Sequence, residues 1–164
     1  MSRMDQRDFR SESDPRASSK STVPGLATII RAEIERSGKG LRELTRNRII
    51  TERTRRNFYE RLDAGHLSTI EVMEIQEFLG IDPIRAMCAL FIMRDPMTYF
   101  DPFCETLATV AQEFGPALQE QVDAISGDFT PIHRNLCKAQ ASKLAKEMAN
   151  HSERAKRYRE TGFD

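Results

Sequence analysis

Helix boundaries are marked along this chain more densely than any other signal. Asp82-Pro83, Asp95-Pro96, Asp101-Pro102 and Thr130-Pro131 each set a capping side chain before a proline. Proline's missing N–H costs nothing in a first helical turn, where that group has no partner anyway. Ser68 and Glu71 have the spacing of a capping box, in which each side chain bonds the other's backbone N–H. Gly38, Gly40, Gly65, Gly80 and Gly127 follow apolar runs as helix stops. Between these marks apolar residues recur at steps of three and four, and no stretch alternates as a strand does. The expectation is an all-α chain.

Five helices fit residues 24–93. The first starts near Pro24 and carries the stripe Leu26, Ile29, Ile30 and Ile34. The second covers about 41–49, with Leu41 and Leu44 facing inward. Thr51 caps a third that runs to about 63, with Phe58, Tyr59 and Leu62 on its apolar side. The fourth opens at Ser68 and carries Ile70, Val72, Met73, Ile75 and Phe78; the fifth opens at Asp82 and passes through Ala86, Ala89, Leu90 and Ile92. Beyond residue 94 a narrow seam runs through Phe103, Leu107, Val110, Phe114, Leu118, Val122 and Ile125, with an expected break at Gly115-Pro116. A last helix is expected from Pro131, with Ile132, Leu136, Leu144 and Met148. The segments are therefore a flexible polar arm over 1–22, a helical domain over 23–94, a C-terminal helical region over 95–152 and a polar tail over 153–164. The last helices either fold into a hairpin or extend away as an interface.

Charge is where composition matters. Twenty-five basic residues balance twenty-five acidic ones, but they are segregated. Residues 31–61 hold ten Lys or Arg against five Asp or Glu, a net of +5; residues 68–128 hold two against eleven, a net of −9; residues 129–164 return to +4. A basic segment this concentrated suits a polyanion, although such a run is also an ordinary solvated helix face. The acidic segment would face away from a nucleic acid and offers a surface to a basic partner.

Other chemistries find little support. Cys88, Cys104 and Cys137 are odd in number and form no CxxC pair, so no complete disulfide framework exists. His66, His133 and His151 are isolated; His133 and Cys137 lie one helical turn apart but lack a second ligand pair. No phosphate-cradling glycine motif or nucleophile elbow occurs. No enzyme, cofactor or metal is expected. The chain holds no apolar stretch of membrane-spanning length, and a cytoplasmic location is expected.

The region 52–63 splits into two faces. Phe58, Tyr59 and Leu62 fall within one turn of each other, while Arg53, Arg56, Asn57, Glu60 and Arg61 project elsewhere. Arginine can donate twice to a guanine edge and asparagine can pair with adenine, so this face suits the major groove. The runs YERLDAG at 59–65, LSTI at 67–70 and VMEIQEFLGID at 72–82 resemble the XRE-type helix-turn-helix family of the phage lambda repressor and Cro class. The resemblance rests on LDAG at 62–65 closing one helix and FLGI at 78–81 closing the next, and covers 24–93. The stretch TRNRIIT at 45–51 departs from it: it lacks the usual glycine and is about two residues longer than that turn.

The resemblance implies a five-helix lambda-repressor-like DNA-binding domain with a recognition helix at about 52–63. Counting back from Gly65, its base-reading positions fall on Arg55, Arg56, Asn57 and Arg61. Counting forward from Leu41 moves them to Arg53 and Thr54, held as reserves. Lys39, Arg42, Arg46, Thr51 and His66 are expected near phosphates. Asp63 is expected to pair within the protein. Such proteins usually bind as dimers, so the C-terminal helices are an expected homodimer interface. The function expected is a sequence-specific double-stranded DNA-binding transcription regulator of bacterial or phage type. The alternative is an antitoxin-like protein whose C-terminal helices hold a toxin. A protein partner from the transcription machinery is a further possibility.

Overall fold

A computed structural model describes residues 25–125 and 127–160. These residues form helices joined by turns, with no strand among them. The arm expected over 1–22 lies outside the described residues. No described helix is long and apolar enough to cross a membrane.

The first unit ends at Pro116. It contains α1 (Leu26–Ser37), α2 (Leu41–Arg46), α3 (Glu52–Arg56), α4 (Phe58–Asp63), α5 (Thr69–Leu79) and α6 (Pro83–Met87). A π-helical turn (Cys88–Met93) and a 3₁₀ segment (Pro96–Phe100) follow, and then the start of α7 (Pro102–Asp123). The expected boundaries are realised by local chemistry. The Thr51 hydroxyl accepts from the Thr54 N–H at the head of α3. Ser68 and Glu71 form the reciprocal capping box of α5. The Asp82 carboxylate accepts from the N–H groups of Ile84 and Arg85, with Pro83 in the first turn. Gly38 and Gly80 end α1 and α5 in the left-handed conformation that glycine adopts without strain.

The core is one cluster. Ile29, Ile30, Leu44, Phe58, Leu62, Leu67 and Ile75 are fully enclosed, and each such side chain removed from water is worth about 2 kcal/mol. The cluster continues beyond residue 94 through Tyr99, Cys104 and Ala108. The unit therefore extends past the expected boundary, because the start of α7 supplies part of its core. The Tyr99 hydroxyl accepts from the Asp82 N–H at 3.1 Å, and the Arg85 guanidinium lies over the Tyr99 ring while pairing with Glu105 at 3.2 Å.

Four features of this unit and of α7 differ from the sequence expectation. The second helix stops at Arg46, because Arg48 turns left-handed at φ 61°. The third is divided at Asn57 (φ −126°, ψ 32°), a residue whose side chain competes with helical bonding. The fifth widens into the π turn after Met87, which leaves Ile92 exposed instead of inward. α7 runs through Pro116: residues 111–121 are all exposed, so the ring meets no packed neighbour and the freed carbonyl meets water.

The second unit begins at Ala117. Its main element is α8 (Arg134–Glu160), 27 residues with no buried side chain. α8 begins three residues after Pro131 and continues through 153–160, where a polar tail was expected. That extension is rich in strong helix formers and is braced by Lys156–Glu160 and Glu153–Arg157 pairs.

Candidate nucleic-acid interface

The basic segment folds into the second half of α1, then α2, the turn 47–51, α3 and α4. What distinguishes its arginines is whether the fold itself uses them. Arg31 on α1 grips both carboxylate oxygens of Asp63 at 2.9 and 2.7 Å and lies 4.5 Å from the Tyr59 ring centre. Asp63 is thus an internal partner, tying the end of α4 to α1.

Arg61 is the centre of a polar network. One guanidinium nitrogen donates to the Thr54 hydroxyl at 2.7 Å. Another donates to the His66 carbonyl at 2.9 Å and lies 3.6 Å from the Glu71 carboxylate. The Thr54 hydroxyl also reaches Glu71 at 3.4 Å and the Thr51 hydroxyl at 3.1 Å. Thr54 is 3% exposed, and the Arg61 and Glu71 side chains are 28% and 20% exposed. The network therefore joins α3, α4, the following loop and the head of α5. It corrects two sequence expectations: Thr54 is enclosed, and Arg61 is spent on positioning the helices, because Glu71 is brought opposite it by the capping box.

Other expected contacts divide in the same way. The Thr51 hydroxyl is consumed by its capping role. The Lys39 ammonium donates to the Phe78 carbonyl at 2.8 Å and sits over the Phe78 ring, so it neutralises the C-terminal end of α5. Arg55 pairs with Glu52 at 3.0 Å. His66 is exposed in the loop between α4 and α5.

Five arginines remain. Among the described residues Arg42, Arg46, Arg48, Arg53 and Arg56 carry no side-chain hydrogen bond and no ion pair, and all are exposed. The exposed Asn57 side chain caps nothing. Arg53, Asn57 and Arg61 line an open depression of about 410 Å³. Arg53 and Asn57 are four residues apart and share a face, with Arg56 beside it. Of these five, Arg48 was absent from the sequence-derived contacts. Its signal was the glycine-free turn, where a residue forced left-handed turns outward.

The remaining reactive groups have structural settings. Burial pushes the thiols of Cys88 and Cys104 above their ordinary range, with nearby Asp82 adding to the first and Cys88 to the second. Burial does the same to the Tyr99 hydroxyl. His133 and Cys137 are exposed at the start of α8, and among the described residues no third ligand joins them.

The arrangement offers solvent a cluster of uncompensated guanidiniums around one free carboxamide, on short helices clamped to a closed core. Compared with protein-family models, with curated proteins and with solved structures, the chain matches none.

Proposed function

We propose that this chain is a sequence-specific double-stranded DNA-binding regulator of helix-turn-helix type. In this reading a five-helix XRE-like domain is followed by a C-terminal helical extension. α2 and the α3–α4 pair form the helix-turn-helix, and the exposed face of α3 enters the major groove. Arg53, Arg56 and Asn57 read base edges, with Arg55 able to join them by releasing its weak exposed pair with Glu52. Arg42, Arg46, Arg48 and His66 meet phosphates, while Arg61 positions the reading helix through its bonds to Thr54, the His66 carbonyl and Glu71.

One observation carries the reading. Arg31, Arg61 and Arg85 are all engaged by carboxylates or carbonyls, whereas five arginines between residues 42 and 56 have no internal partner. Uncompensated like charges repel one another, and a polyanion relieves that repulsion. The chain acts as a homodimer through its C-terminal helices, so that two half-sites are read together. The exposed α8 supports that arrangement.

The same exposure favours a second reading, in which α8 holds a different protein, as an antitoxin holds its toxin. Selection of genomic fragments bound by the purified chain, followed by footprinting, tests the first. A recurring two-fold-related sequence is expected. Recovery of fragments without a common sequence would count against it.

A further inference from the structure

α6 and the head of α7 lie antiparallel within the first unit. The Arg85 guanidinium pairs with Glu105 at 3.2 Å, and the Gln112 carboxamide donates to the Asp82 carboxylate at 3.0 Å. Where the helices meet, the buried Cys104 thiol donates to the Arg85 carbonyl at 3.5 Å, with the buried Cys88 beside it. Right-handed helices that run antiparallel turn toward the same side of their contact as each chain advances. Counted from Cys104 at about 100° per residue, Glu105 and Gln112 turn to one side, and Phe103, Leu107 and Phe114 to the other. Counted from Cys88, Arg85 and Asp82 turn to that first side, and Ile84 and Met87 to the second. Phe91 follows Met87 one turn later. The polar bonds therefore occupy one side of the contact, and a row of large apolar side chains from each helix occupies the other.

That apolar side is open. Ile84, Met87, Phe91, Phe103 and Phe114 remain between 40% and 58% exposed, with the half-buried Leu107 between them. Thr106 and Val110 complete this side of α7, so the face carries no charge in a chain of which 30% is charged.

We infer that this face is covered by the same face of a second copy of this chain. Area and charge both favour that occupant. At about 200 Å² for each large side chain, the five exposed residues offer roughly 500 Å², the upper end of what a monomer leaves bare. Two such faces remove about 1,000 Å² from water, the size at which specific contacts begin. A two-fold contact sets a patch against itself, so a charged patch would meet its own sign. This face meets itself without repulsion, while Asp82 and Glu105 stay on the far side of each α6–α7 pair. A strongly basic or acidic partner finds no counter-charge here.

This inference rests on the homodimer proposed above and deepens it by naming its surface. Its test needs no DNA: sedimentation of the full chain up to about 100 µM, with circular dichroism to check helicity. The wild type is expected to pass from monomer to dimer with concentration. Phe103→Glu/Phe114→Glu, both at exposed sites, is expected to weaken the dimer at least about 100-fold with helicity kept. Met87→Glu, from the other helix, is expected to weaken it about tenfold. Leu144→Glu, on α8, should leave it unchanged.

A wild-type monomer at that concentration would overturn both the inference and the proposed dimer; operator binding, read separately, would still decide the DNA reading. A dimer that survives the double variant, or that Leu144→Glu dissolves, would overturn this surface and leave the dimer standing.

Discussion

Two arginines on the basic segment, Arg61 and Arg53, illustrate how little a residue's type reveals about its use. They line the same depression and lie eight residues apart. Arg61 bonds Thr54, the His66 carbonyl and Glu71, whereas Arg53 bonds nothing among the described residues. Arg61→Ala is expected to cost about 1–2 kcal/mol of stability in urea unfolding, because Glu71 and Thr54 lose a half-buried partner. Arg53→Ala or Arg56→Ala should stay within about 0.5 kcal/mol. Equal effects would dissolve the distinction between positioning and contact. Gly25 is a second diagnostic residue. It sits at φ +90°, and an added Cβ would fall 2.6 Å from Leu90 Cδ2 and 2.8 Å from Pro96 Cγ. Gly25→Ala should cost roughly 2 kcal/mol or more, read as a fall in Tm, since strain and overlap act together. The thiols give a third. Cys88 and Cys104 are buried with raised pKa values, and Cys137 is exposed. A thiol reagent at pH 8 should therefore modify Cys137 well before the others. The sign of the pH effect follows from the same shifts. Folded thiols that hold their protons above the ordinary 9.0 lose stability as pH climbs past about 9, because the unfolded chain ionises first.

At the scale of elements, what was legible was what is local. Thr51, Ser68 and Asp82 cap helices because the group each satisfies lies two or three residues away. Ser68→Ala is accordingly expected to cost about 1 kcal/mol. The apolar side of 58–62 was readable for the same reason: Phe58 and Leu62 are both 1% exposed. Two things were not readable. The division at Asn57 reflects a backbone choice that a run of good helix formers on both sides conceals. The fate of Arg61 depends on Glu71, ten residues on, and on the loop that brings it back. Counting from Gly65 gives Arg61 a position on the helix, but cannot indicate that α5 supplies a carboxylate there. Pro116 misled in the opposite direction, because a proline breaks a helix only where its ring or the freed carbonyl has nowhere to go.

At the scale of the molecule, the neutral total charge is the least informative number and its distribution the most. Five arginines with no internal partner fall between residues 42 and 56, and the acidic excess belongs to residues 68–128. If Arg42, Arg46 and Arg48 each neutralise a phosphate, log K should fall with log salt at a slope near −3 per chain. A slope near zero would mean that the surface is solvated without function. The second unit adds a long helix with no buried side chain.

The most direct test is fluorescence anisotropy on the selected operator and on a scrambled duplex, comparing wild type with Arg56→Ala/Asn57→Ala at fixed salt. Both changes are at exposed sites with no internal partner, so helicity and Tm should hold. The account predicts that the double variant loses about 100-fold on the operator, two base contacts at roughly 1–3 kcal/mol each, while binding to the scrambled duplex changes little. Wild-type affinity and unchanged discrimination in that variant would contradict it.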